Sequence, residues 1–219
     1  MLIKYPPTLV AQVKQRVAGR QLEGFVPGSG PQRPLIALVG EAPGRQEVKD
    51  GRPFVGSSGQ ELTKMMKLAG LSRDEVYITS VVRSRPFASR EVQEKRTGQL
   101  IMKHPNRTPT KKEVLAYAPL FDWEIQHVAP RVIVALGNTS LQRLLGSHYT
   151  VGQFHGQILR SAILETTADQ QGYQKSTQQY WVLPMYHPAA YLYARRLEPV
   201  VRSDWQRFGQ WLQQLAGTN

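Results

Sequence analysis

The sequence predicts an α/β fold built on a parallel sheet, and two observations lead to this prediction. Short, continuous apolar runs recur along the chain, and such runs are typical of strands that are buried on both faces. Segments with helical patterns lie between these runs, and two of them end at a glycine. Strands that alternate with helices in this way are typical of a parallel α/β sheet.

Four strands are predicted, and the first, Leu35–Val39, lies between Pro34 and Gly40. The other predicted strands are Val76–Val82, Val132–Leu136 and Tyr180–Leu183. The predicted helices are Gly59–Ala69, Lys111–His127, Asn138–Leu145 and Pro199–Leu215. No repeat or linker interrupts this order, so we expect a single domain over residues 1–219 with one insertion at about 87–107.

The helix boundaries follow from local sequence. Gly70 and Gly146 end the first and third helices, because glycine is favoured just past a helix C-terminus. Thr110 and Glu113 form a capping box at the start of the second helix, where their side chains can satisfy free backbone N–H groups. Asn138 is a suitable N-cap for the third helix.

The composition points to a polyanion as the partner. The 219 residues include 28 basic and 16 acidic side chains, which give a net charge of +12 and an isoelectric point near 10.1. The absence of cysteine excludes disulfides, thiol nucleophiles and cysteine-ligated zinc or iron–sulfur centres. Since no apolar run is long enough to span a membrane and no targeting segment is recognised, we expect a cytoplasmic monomer.

Much of the excess charge falls in one stretch, residues 83–112. Its basic residues are Arg83, Arg85, Arg90, Lys95, Arg96, Lys103, Arg107, Lys111 and Lys112. Only Glu91 and Glu94 oppose them, so the local balance is 9 − 2 = +7. Such a run forms either a solvated surface loop or a surface that contacts nucleic-acid phosphates, where the release of counterions favours clustered cations.

The segment Gly40–Gly44 directly follows the first predicted strand, at the edge of the sheet where sites form in α/β proteins. Two carboxylates, Glu41 and Glu47, lie in or near it, and Phe54 follows within Arg52–Gly56. The chain has neither a Walker A motif nor a G-x-G-x-x-G motif, which disfavours an NTPase or a dinucleotide enzyme. The segment is either a catalytic loop or a structural turn with exposed glutamates.

A histidine, His187, follows the predicted strand end Trp181–Met185 and is expected at the same edge of the sheet. A lone histidine is more often structural or merely exposed than functional. The other histidines show no metal-ligand spacing, so we expect no metal centre and no cofactor.

Taken together, these strings resemble the uracil-DNA glycosylase superfamily, and within it family 4, from about Val26 to the end of the chain. The resemblance is carried by Gly40–Gly44, Glu47, Gly51–Gly59, Tyr77–Thr79, Val132–Gly137, Leu144–Gly146 and Tyr186–Ala190. It implies a three-layer α/β sandwich with a central, mainly parallel sheet. It also implies a DNA substrate, from which uracil is released by hydrolysis of its N-glycosidic bond.

The resemblance implies roles for three catalytic residues. Hydrolysis of an N-glycosidic bond develops positive charge on the sugar and negative charge on the base. Glu41 or Glu47 would stabilise the sugar and orient a water molecule, and His187 would donate a hydrogen bond to uracil O2.

Other residues would hold the base and the DNA. Phe54 would stack on the flipped base, backbone N–H groups around Ala42 would contact its edge, and Ser80 would lie beside it. Tyr191 and Leu192 would either wedge into the duplex or simply pack the loop. Phosphate contacts are expected from Arg83, Arg85, Lys103 and Arg107.

The chain departs from the family at three places. Family 4 members hold an iron–sulfur cluster on four cysteines, whereas the matching positions here include Ser84 and Ala118, so we expect packing by the N-terminal segment, with Tyr5 and Val13, to replace the cluster. Ser80 stands where the family has asparagine, and a hydroxyl supplies only part of the hydrogen-bonding pattern of an amide. Uracil selectivity is therefore open, and hypoxanthine or xanthine are alternative bases.

The third departure concerns the basic insertion. A relative of family 4 that links covalently to uracil has a nucleophilic histidine two residues before a Thr-Pro pair, where this chain has Asn106, and the nearest histidine is His104. Our leading hypothesis is a monofunctional DNA glycosylase of base excision repair, which leaves an abasic site. No lysine is placed to form a Schiff base, so we expect no strand cleavage. The alternatives are a non-catalytic DNA-binding protein and a covalent trap on the same scaffold.

Overall fold

The computed structural model describes residues 1–94 and 96–217; Lys95 of the basic run lies outside them. The helices are α1 Pro7–Arg16, α2 Arg45–Asp50, α3 Ser57–Leu68, α4 Lys111–Val128, α5 Asn138–Leu145, α6 Val151–Phe154, α7 Pro188–Tyr193 and α8 Glu198–Ala216. The strands are β1 Leu22–Glu23, β2 Ile36–Gly40, β3 Val76–Ser80, β4 Arg85–Pro86, β5 Arg90–Gln93, β6 Leu100–Lys103, β7 Val132–Leu136, β8 Leu159–Thr166 and β9 Tyr173–Met185. A short 3₁₀ turn, Arg195–Leu197, precedes α8.

The central sheet has five strands in the order β3-β2-β7-β9-β8. The pairs β2–β3, β2–β7 and β7–β9 are parallel, and β8 pairs antiparallel with β9 at one edge. The predicted α/β fold with a mainly parallel sheet is therefore confirmed. Strand β9 begins at Tyr173, seven residues before the apolar run of the prediction, because its polar first half is held in the sheet by pairing with β8.

Alternate residues of the strands face two separate hydrophobic cores. Along β7, Val132, Val134 and Leu136 pack on one side, with residues of α3, α7 and α8. Ile133 and Ala135 pack on the other side, with residues of α1, α4 and α5. Helices thus cover both faces of the sheet, as in a three-layer sandwich. Among the described residues, no helix is both long and apolar enough to cross a membrane.

The basic insertion forms an antiparallel ribbon. Strands β5 and β6 pair from Arg90 with Lys103 to Gln93 with Leu100, and an isolated bridge joins Phe87 to Asn106 below them. This ribbon is the ordered form of the segment expected at about 87–107.

The expectation that Arg83 of the basic run contacts DNA phosphates is wrong. Arg83 does not face solvent; it is fully buried and forms an ion pair with Glu124 of α4, which is also fully buried. Tyr77 and Thr79 donate hydrogen bonds to Glu124 Oε1 at 2.6 and 2.9 Å. A buried charge is tolerated only when it is paired and hydrogen-bonded, so Arg83 serves the interior and cannot contact DNA.

The N-terminal segment joins this buried network. The Tyr5 hydroxyl donates to Glu124 Oε1 at 3.0 Å and accepts from Arg83 Nε at 3.0 Å. Val13 of α1 is fully buried in the core that contains α4. Tyr5 and Val13 thus tie the N-terminal segment to α4; that they take the place of the cluster stays a prediction.

The two positions that match cluster cysteines carry no thiolate. The Ser84 hydroxyl lies 2.6 Å from the Tyr117 hydroxyl and donates to the Gly24 carbonyl, and Ala118 is fully buried in α4. Since the chain has no cysteine, these residues do not fit a cysteine-ligated cluster.

We predict that Arg83→Met lowers the free energy of unfolding by about 3 to 5 kcal/mol, because Glu124 is left buried without its partner. The measurement is urea denaturation followed by circular dichroism. Exposed Lys112→Met is the control, with an expected change within about 0.5 kcal/mol. The double variant Arg83→Met/Glu124→Met should recover part of the loss. An Arg83→Met variant as stable as the control would contradict this account.

Candidate active site

A cavity of about 860 Å³ opens at the carboxyl ends of the parallel strands. Parallel strands end at a common edge, so the loops that follow β2, β3, β7 and β9 converge there. The sequence candidates that line it are Glu41, Ala42, Glu47, Phe54, Ser80, Arg107 and His187. The structure thus brings together residues that are far apart in sequence.

Glu41 lies at the inner end of the loop that follows β2 and is partly buried. Thr139, at the start of α5, donates a hydrogen bond to Glu41 Oε2 at 2.5 Å. Burial raises the pKa of the Glu41 carboxyl, and hydrogen bonds from Thr139 and Thr108 act in the opposite direction. A partly desolvated carboxylate held in one orientation is suited to stabilising a cation or orienting water.

The Glu47 carboxylate accepts hydrogen bonds from the backbone. Its Oε2 accepts from the Gly44 N–H at 3.0 Å, and its Oε1 accepts from the Gly56 N–H at 3.3 Å. In the first bond, Glu47 at the third position of α2 caps the free N–H of the N-cap residue, Gly44. Glu47 therefore ties the loop after β2 to the segment that carries Phe54.

Phe54 is held in an unusual backbone conformation. Its φ is 52°, in the left-handed region that favours glycine. Arg73 donates to the Phe54 carbonyl at 2.9 Å and to the Pro53 carbonyl, which stabilises this turn. A Cβ on Gly40 would lie 2.7 Å from the Phe54 ring, so the ring reaches the end of β2 only because residue 40 is glycine.

His187 is the N-cap of α7, and its Nδ1 accepts a hydrogen bond from the Ala189 N–H at 3.1 Å. In the neutral ring the proton consequently lies on Nε2, which is left as a donor. Burial lowers the pKa of His187 to about 4, so the ring is neutral at pH 7. Its centroid lies 5.6 Å from that of Phe54.

Ser80 is buried at the end of β3, and its hydroxyl donates to the Val82 carbonyl at 2.9 Å. A hydroxyl has one proton and two lone pairs, so only acceptor capacity is left for a molecule in the cavity. Among the described residues, no group accepts a hydrogen bond from the Ala42 N–H, which lies at the same end of the sheet.

The descending limb of the insertion, residues 106–108, forms another wall of the cavity. Asn106 Oδ1 accepts from Arg85 Nε at 2.5 Å, and Arg85 also pairs with Glu23 at 2.6 Å. Arg85 is buried by these bonds, so the expectation that it contacts DNA is wrong. Arg107 pairs with Glu113 at 2.7 Å but is partly exposed, and Lys103 is exposed.

The histidine weighed as a nucleophile lies elsewhere. The His104 ring packs edge-on against Phe87, with centroids 5.3 Å apart, and its Nδ1 lies 3.2 Å from the Ser89 hydroxyl. The position that matches the nucleophile of the covalent relative holds Asn106, whose amide is not nucleophilic. The geometry gives no support to the covalent trap.

Of the two residues weighed as a wedge, Tyr191 lies in the core and cannot enter a duplex. Tyr191 is 1% exposed, and it packs in the core because it lies one helical turn after buried Pro188 in α7. It therefore packs the loop, as the alternative interpretation expected. Leu192 is half-buried. Tyr193, which the sequence analysis did not select, is 92% exposed at the rim of the cavity.

Comparison with known proteins agrees with this geometry. The family model described as the uracil DNA glycosylase superfamily matches residues 27–214. The chain belongs to this superfamily. Within the superfamily, it is similar to the type-4 uracil-DNA glycosylase of Sulfurisphaera tokodaii, at 34% identity over 83% of this chain and 72% of the relative. It is 31% identical to the type-4 enzyme of Archaeoglobus fulgidus, over 85% of this chain and 81% of the relative. The resemblance found in the motifs is thus confirmed.

Three residues of this superfamily member contribute to the site although the sequence analysis did not single them out: Thr139, Arg73 and Tyr193. Thr139 follows the Gly137 motif directly, so its place after a strand end was the available signal. Arg73 had no signal, because its partners are backbone carbonyls from another loop. For Tyr193, the available signal was helical spacing, because the spacing that buries Tyr191 places Tyr193 on a different face of α7.

Proposed function

We propose that this protein is a DNA glycosylase that hydrolyses the N-glycosidic bond of uracil, or of a related deaminated base, and leaves an abasic site. The observation that carries the proposal is the convergence of the Glu41 carboxylate, the Phe54 ring and a neutral His187 on one cavity. Its type-4 uracil-DNA glycosylase relatives and its net charge of +12 support uracil and DNA as substrate. The enzyme would act in base excision repair without cleaving the strand.

In the proposed mechanism, the base is flipped into the cavity and stacks on Phe54. As the glycosidic bond breaks, the bonding electrons move to the base, and His187 Nε2–H donates a hydrogen bond to its O2. A neutral imidazole can do this without a change of charge in a buried site. The Ala42 N–H supplies a second donor toward the base edge.

Glu41 acts on the other side of the bond that breaks. Its carboxylate stabilises the cationic sugar and accepts a proton from the water molecule that attacks C1′. The products are an abasic site and the base anion, which takes up a proton from solvent while Glu41 releases its own. Glu47 is a positioning residue, because both of its carboxylate oxygens already accept from backbone N–H groups.

Substitutions of Glu41, His187 and Glu47 test the proposed function. Glu41→Gln should slow the single-turnover release of uracil by about 10²- to 10⁴-fold, and His187→Ala by about 10²- to 10³-fold. Release is measured by alkali cleavage of a labelled oligonucleotide. Glu47→Gln should lower the melting temperature as well as the rate, whereas Glu41→Gln should spare the melting temperature.

If the wild-type protein binds DNA but releases no base, it is the non-catalytic DNA-binding protein instead. Base release unaffected by both Glu41→Gln and His187→Ala would refute the site assignment.

Ser80 is proposed to select the base through its lone pairs. Its proton is donated to the Val82 carbonyl, so it can accept from the imino N–H of uracil, hypoxanthine or xanthine. Cytosine and adenine present a ring acceptor at the corresponding edge and would be repelled. Unlike an amide, Ser80 cannot also donate to the adjacent base carbonyl, so we propose that it selects deaminated bases through this one contact and does not distinguish among them.

We predict that in Ser80→Asn the ratio of the uracil release rate to that of wild type rises to about 5 to 150, which corresponds to the 1 to 3 kcal/mol of a bidentate contact. Rates of base release from matched oligonucleotides measure this ratio. Ser140→Ala is the control, because the Ser140 hydroxyl is also buried and donates to backbone carbonyls but lies outside the cavity lining. If Ser80→Asn releases uracil at the wild-type rate, the role of Ser80 is contradicted.

Tyr193 is proposed to fill the duplex where the base has left, together with half-buried Leu192. Tyr193→Ala should slow uracil release from duplex DNA about 10-fold while sparing single-stranded DNA, because only the duplex must be unstacked. Tyr193→Phe keeps the ring and should keep the rate. An equal loss on both substrates would argue against a wedge.

A further inference from the structure

The β5–β6 ribbon is continuous with the wall of the cavity. The bridge between Phe87 and Asn106 and the pair of Arg90 with Lys103 follow the same register, and the Ala88 N–H donates to the Pro105 carbonyl between them at 2.9 Å. Three residues of extended chain span about 10 Å. The Arg90–Lys103 pair therefore lies about 10 Å along the ribbon from Asn106, which lines the cavity.

Two cations stand directly opposite each other at this point of the ribbon. Arg90 and Lys103 are register partners, both are exposed, and like charges in this relation destabilise a strand pair. Among the described residues, no carboxylate forms an ion pair with either cation. Val92 and Ile101 are also register partners, so their side chains lie on one face of the ribbon. Both are partly buried, and their contact holds the strands in this register.

We propose that Arg90 and Lys103 together form a binding site for the DNA backbone phosphates beside the flipped nucleotide. Two neighbouring phosphate diesters, one at each cation, remove the repulsion between the two cations, and DNA presents such anions along its backbone. The ribbon then acts as an arm that holds the strand while the base occupies the cavity. The choice of DNA as occupant rests on the proposed function.

The test is the salt dependence of binding to an undamaged duplex. Each phosphate contact contributes about 0.9 to the slope of log K against log salt concentration. The double variant Arg90→Gln/Lys103→Gln should therefore lower the magnitude of the slope by about 2, and Arg90→Lys, which keeps the charge, should retain it. Fluorescence anisotropy at several salt concentrations gives the slopes, and circular dichroism verifies folding.

The matched control removes the same charges elsewhere. Arg131 and Lys175 are exposed near the amino-terminal ends of β7 and β9, at the edge of the sheet opposite the cavity. Arg131→Gln/Lys175→Gln should leave the slope nearly unchanged. An equal drop in both double variants, or no drop in the ribbon variant, would overturn the proposal.

This measurement does not depend on catalysis. If wild-type protein releases no base and the ribbon variant still loses slope, the proposed function fails and the phosphate site stands. If base is released and the slope of the ribbon variant is that of the wild type, the phosphate site alone is wrong.

Discussion

The buried ion pair between Arg83 and Glu124 is the interaction on which the arrangement of the fold most depends. Two charges without access to water require hydrogen-bond partners, and those of this pair come from distant segments: Tyr5, Tyr77 and Thr79. The pair therefore joins the N-terminal segment, β3 and α4. Backbone also closes around it, because a Cβ on Gly28 would lie 2.1 Å from Glu124 Oε1.

This network determines where the chain goes after β3. Arg83 is anchored inside, so the residues on either side of it, Ser80 and Arg85, are held at the base of the cavity wall. Ser84, at a position where the family has a cluster cysteine, bonds to Tyr117 and Gly24 instead. Hydrogen bonding and packing thus brace the region that an iron–sulfur cluster braces in the family.

Within the cavity, the chemistry left for a ligand depends on which hydrogen bonds each side chain has already made. The His187 ring keeps a donor because Nδ1 is bonded to Ala189, and Ser80 keeps only lone pairs because its proton is bonded to Val82. Glu47 accepts from a backbone N–H on each of its carboxylate oxygens, whereas Glu41 accepts from threonine hydroxyls. Two glutamates that are equivalent in a motif therefore become a candidate base and a loop anchor.

Much of the fold was accessible from sequence. The apolar runs identified four strands of the central sheet, because strands buried on both faces need continuous apolar residues. The edge strand β8 and the polar first half of β9 were missed, since neither has a continuous apolar run and both are stabilised by their pairing. Part of the basic run forms the β5–β6 ribbon, yet two of its cations, Arg83 and Arg85, are buried. Charge alone does not reveal a buried carboxylate partner that lies 41 residues away.

The sequence by itself determined the layer order of the fold, the family, and the loops that meet at the site, because these depend on local apolar patterns and on short motifs at strand ends. The tertiary structure alone decided which members of those loops are free to act. Tyr191 is buried while Tyr193 is exposed, and Glu47 bonds to backbone N–H groups of two loops while Glu41 bonds to threonine hydroxyls. The physical reason is that burial and hydrogen-bond partners are set by contacts between segments far apart in the chain.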